Sequence, residues 1–109
     1  MSIENAFLQS VIKRLLYYKS LADKTFTRLS AEDFHYQPGE ESNSIAILIQ
    51  HMAGNMLSRW TGFLTTDGEK EWRNRDTEFG DQHLSYPQLM TAWNKGWDCF
   101  LNALSLLRE

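Results

Sequence analysis

Three histidines, one cysteine and a run of carboxylates are the groups in this 109-residue chain that could do chemistry. His51 has the most telling setting. It lies within Ser42-Asn43-Ser44-Ile45-Ala46-Ile47-Leu48-Ile49-Gln50-His51-Met52-Ala53-Gly54-Asn55-Met56-Leu57-Ser58-Arg59-Trp60, a helical pattern in which an imidazole could ligate a divalent metal. A catalytic metal usually takes about three protein ligands. Two histidines one helical turn apart would supply two of them, but neither His35 nor His83 forms such a pair with His51. On residue chemistry alone the plainer reading is a hydrogen-bonded interior or interface histidine. Glu69, Glu71, Asp76 and Glu78 stand near Arg73 and Arg75. Paired carboxylates do acid–base work when their environments differ, but on a polar loop local ion pairs are the expectation. Cys99 is the only cysteine, which excludes an intrachain disulfide and predicts a small core residue. There is no phosphate-binding glycine loop and no GxSxG elbow.

Three amphipathic helices must position these groups. The first is predicted over about 4–29, with Phe7, Leu8, Val11, Ile12, Leu15, Tyr18, Ala22, Phe26 and Leu29 forming its buried stripe. A connector follows from Ser30 to Ser42, marked as a turn by Pro38-Gly39. The second helix is predicted over 43–64, capped by Asn43 or Ser44 and broken at Asp67-Gly68. Residues 65–84 read as a long polar loop with Trp72 and Phe79 as apolar anchors. The third helix is predicted over 85–108. Ser85 and Gln88 make a capping box, and Leu89, Trp93, Gly96, Trp97, Phe100, Ala103, Leu104 and Leu107 make its stripe. The fold class is all-α, a single domain over 1–109 arranged up-down-up. The third stripe runs to the end of the chain, so it is expected to need a partner surface.

On a wheel of the second helix, Ile45, Ile49, Met52, Met56, Trp60 and Phe63 hold the main apolar face. His51 falls on the other side with Ser44, Gly54, Asn55, Ser58 and Gly62. Small residues four apart admit a close neighbour, and Gly54 costs about 1 kcal/mol relative to Ala inside a helix. This helix is therefore expected to be buried on most sides, with His51 in or beside a cleft.

Bulk properties narrow the function classes. The formal charge is -3, from 11 basic and 14 acidic residues. That argues against a nucleic-acid footprint. No stretch reaches the ~20 apolar residues that span a bilayer, and no signal peptide is evident. A cytoplasmic protein is the expectation.

The stretch from Phe34 to Phe79 resembles the DinB/YfiT-like family. The matching residues are His35-Tyr36-Gln37-Pro38, Glu40 to Ala46, His51 to Trp60, and Asp67-Gly68-Glu69-Lys70-Glu71-Trp72-Arg73-Asn74-Arg75-Asp76, with Trp93, Gly96 and Trp97 on the third helix. The likeness is to a poorly characterised bacterial branch. It implies a four-helix bundle, often dimeric, with a divalent metal such as nickel or zinc bound by three histidines. One of these comes from the second helix, where His51 stands, and two from an HxxxH pair on a fourth helix. In some relatives that site serves thiol-dependent transfer with bacillithiol or mycothiol. No HxxxH pair occurs in this sequence, and the fourth helix is expected to be missing. The resemblance thus implies an incomplete metal site with His51 as its one ligand, in a chain expected to form a homodimer or higher homo-oligomer. A transferase completed by another segment or chain, and a metal-free interaction module, are the alternatives.

Overall fold

The computed structural model describes residues 2–80 and 82–107. Among them are five helices and no strand: α1 (Ile3–Phe26), α2 (Ala31–His35), α3 (Ile45–Trp60), α4 (Arg75–Glu78) and α5 (Tyr86–Ser105). The fold is all-α, as the sequence predicts. A side-chain oxygen begins each helix by accepting an otherwise orphaned amide: Ser2 from Asn5, Ser30 from Asp33, Ser44 from Ile47, Asn74 from Thr77 and Ser85 from Gln88. The Ser85/Gln88 capping box forms as expected. A second box, Ser30/Asp33, starts α2 inside the connector that reads as irregular from sequence.

The long helices end earlier than their apolar patterns suggest. α3 stops at Trp60 rather than near Leu64. The cause is Gly62, whose φ of 58° lies in the left-handed region that glycine adopts without penalty. Gly62 thus terminates the helix and does not extend its small-residue face; Asp67-Gly68 lies well beyond. α1 stops at Phe26, not Leu29, and α5 at Ser105. Arg108, where the third helix was expected to end, lies outside the described residues.

The core is the α3–α5 pair with α2 laid against its start. Phe34, Ala46, Ile49, Met56, Leu89, Trp93 and Trp97 are buried together, with Phe26 from the end of α1. Gly96 allows the close approach of the two helices: a Cβ there would stand 3.0 Å from Met56 Cε and 3.2 Å from Ala53 Cα. Contacts advance in the same sense along both helices. Ala53 and Met56 meet Gly96, the Trp60 ring meets Phe100 at 4.8 Å, and Thr61 meets Cys99. α3 and α5 therefore run parallel, which corrects the up-down-up expectation. Residues 61–85 are not a tight connection but a crossover that returns along the length of α3.

α1 is the outlying element. Phe26 is its buried residue. Its ring meets Trp93 edge-on at 5.3 Å, Trp93 Nε1–H donates to Asp23 Oδ1 at 2.9 Å, and Lys19 Nζ donates to Asn94 Oδ1 at 3.0 Å. Leu15 and Ala22 pack partly against the core. Phe7 and Tyr18, expected on the buried stripe, are exposed. Conversely, Leu89, Trp93, Gly96, Trp97, Ala103 and Leu104 of α5 are buried within the chain. The expected open stripe is thus on the wrong helix: parallel packing against α3 closes α5 and leaves α1 uncovered.

Candidate functional site

The small-residue face of α3 is covered by the crossover, not by another helix. Gln50 Nε2 donates to the carbonyls of Glu78 (3.1 Å) and Gly80 (2.9 Å). Ser58 Oγ donates to the Gly68 carbonyl at 2.7 Å and accepts the Lys70 amide at 3.0 Å. Lys70 Nζ donates to the Ser58 carbonyl at 2.7 Å and to that of Asp67. Polar groups on one buried helix face thus satisfy the loop backbone.

At the middle of this seam sits a charged clasp. Arg73 Nε donates to Glu78 Oε2 at 3.1 Å and Nη2 to Oε1 at 3.0 Å, a bidentate pair. Both side chains are withdrawn from solvent, at 3% and 9% exposure. His51 Nδ1 lies 3.2 Å from the same Oε1. A carboxylate held by a guanidinium is an acceptor, so Nδ1 carries a hydrogen and donates it to Glu78. Phe79 lies over the imidazole with ring centroids 4.5 Å apart. Gly54 makes room for the carboxylate, since a Cβ there would be 1.8 Å from Glu78 Oε2. The Arg73 guanidinium is made still more basic than usual, chiefly by its hydrogen bond to Glu78; burial opposes this, and the charges of Glu78 and Glu69 reinforce it.

His51 therefore stands where the wheel placed it, on the small-residue side, with its side chain 25% exposed. The face that does meet solvent carries Leu48, Met52 and Arg59. Met52 is thus off the apolar face to which the wheel assigned it. Of the two expected anchors, Phe79 packs on the His51 ring, but Trp72 does not anchor the loop. Trp72 is exposed and forms only a wall of a cleft of about 330 Å³ shared with Gln50, Gly54, Arg73, Asn74 and Gln82. Polar contacts, not Trp72, hold the loop. Cys99 is half-buried beside the Thr61 hydroxyl.

An up-down-up bundle would set His35, before α3, and His83, before α5, near opposite ends. Because α3 and α5 are parallel, their starts come together: His35 Nε2 meets the Leu84 carbonyl at 3.0 Å, one residue from His83. His83 itself adopts a positive φ of 54°. The described residues do not assemble a metal centre. Among the described residues, no group of three or more His, Cys, Asp or Glu is placed to hold an ion. Both Glu78 oxygens are already engaged, so within the described clasp only the second ring nitrogen of His51, Nε2, is turned away from the ion pair. The ion pair expected on the loop is present as Arg73–Glu78. Its union with His51 is not legible in the sequence; the small residues Gly54 and Ser58 signal a close neighbour without identifying it.

No curated protein and no solved structure matches the chain. A family profile described as "Protein of unknown function (DUF1572)" matches residues 2–109, and with nearly its whole length covered the chain belongs to that family.

Proposed function

We propose that this chain is a helical interaction module whose working surface is α1. One observation carries it: a helix of 24 residues with one buried residue, presenting Ile3 and Phe7 at 86% and 70% exposure and Tyr17, Tyr18 and Leu21 also in solvent. Apolar side chains grouped on one element favour a partner, because covering them removes apolar area from water. The test is hydrogen exchange on the full chain. At high dilution α1 amides between Ile3 and Tyr18 should exchange fast while α3 and α5 are protected; α1 protection equal to that of α3 at high dilution would sink the idea.

A second reading treats the resemblance to DinB/YfiT-like proteins as kinship. His51 would then be one donor of a nickel or zinc site completed by another chain or segment, with thiol-dependent transfer as the reaction class. Its support is the carboxylate on Nδ1, since metal-ligating histidines usually give their other ring N–H to such a group. Elemental analysis decides it: stoichiometric metal lost in His51→Ala is the expected result, and a metal-free folded assembly would reject it.

A further inference from the structure

We propose that α1 pairs with α1 of a second copy of this chain, antiparallel, in a register that sets Ile3 on Leu21, Phe7 on Tyr17 and Ser10 on Arg14. This rests on α1 being the working surface. Ile3, Phe7, Ser10, Arg14, Tyr17 and Leu21 follow one another at intervals of four, three, four, three and four residues. That is the 3.5-residue repeat of a helix–helix seam. All six are exposed, and they face away from Leu8, Val11, Ile12 and Leu15, which are partly buried.

The seam is apolar at both ends and polar in its middle, so it complements itself when reversed, as a two-fold contact requires. Reversal about a point level with Ile12 makes each of the three pairings twice, along about 27 Å at 1.5 Å per residue. Charge selects the direction. A parallel pair would press Arg14 against Arg14, whereas the antiparallel pair lets the guanidinium donate to the Ser10 hydroxyl. A hollow of about 490 Å³ lined by Ser10, Lys13, Arg14, Tyr17 and Tyr18 lies on this face. The register brings the Phe7 ring of the second copy beside Tyr17, into that hollow. Lys13 and Arg14 of both copies gather at the centre, so added salt should tighten the pair.

The test uses the full chain carrying Cys99→Ala. Ile3→Cys and Leu21→Cys variants are made separately and treated with a short bis-maleimide, alone and mixed. Cross-linked dimer is expected in the mixture and lost in either variant alone. Like-with-like products, or none anywhere, overturn the register. Sedimentation equilibrium of the unmodified chain should show dimer that Phe7→Asp abolishes. A chain monomeric at millimolar concentration with fast-exchanging α1 amides overturns self-pairing and leaves α1 open to a different partner; a monomer with protected α1 overturns both.

Discussion

Gly54 shows how one missing methyl sets the local chemistry. Helix propensity alone says that Gly54→Ala should stabilise the protein by about 1 kcal/mol. The new Cβ would fall 1.8 Å from Glu78 Oε2, and that carboxylate has little freedom to move because Arg73 and His51 hold it. Displacing it strands a nearly buried guanidinium, and breaking such a pair costs about 3–5 kcal/mol. The net expectation is a loss of about 2–4 kcal/mol in denaturant unfolding. An unchanged midpoint would mean that Glu78 swings aside freely. The raised pKa of Arg73 has a definite sign. Its stabilisation is fully present below the ordinary arginine titration and is lost only as pH rises through the folded value.

Among the elements, α3 and α5 make the fold and α1 is attached to it. Trp93 is buried against Phe26 and Trp97 and donates to Asp23, so its truncation opens the core and removes one tie between α1 and α5. Trp93→Ala should cost about 3–5 kcal/mol. Phe7→Ala, on the exposed face of α1, should change monomer stability by less than about 0.5 kcal/mol. Thermal unfolding of both at low concentration checks the division; equal losses would mean that α1 belongs to the cooperative core.

For the whole molecule, the parallel course of α3 and α5 has the widest consequences. It requires a connection long enough to return along α3, about 24 Å at 1.5 Å per residue. That is why the 65–84 segment is long and why it lies on Gln50, His51, Gly54 and Ser58. It also brings the segments before α3 and α5 to one end, where His35 meets the Leu84 carbonyl. The described residues extend 48 × 33 × 24 Å, an elongated shape for a chain of this size.

What the sequence determined by itself is what short-range physics controls. Helical periodicity specified the three long helices, Asn43-Ser44 and Ser85 marked two of their starts, with the structure choosing Ser44, and the run Gly54-Asn55-Met56-Leu57-Ser58 announced a close neighbour on that face. The local Arg73–Glu78 pair was legible for the same reason, since five residues separate its partners. Tertiary structure alone decided which neighbour filled the face beside Gly54, because Glu78 is distant from it in sequence and reaches it only through the direction of the crossover. It also decided which apolar stripe stays open. The stripes of α1 and α5 are alike as patterns; α5 is buried because its parallel fit to α3 at Gly96 leaves α1 only the outer edge. Periodicity fixes a face to a helix, but only packing tells which face meets another.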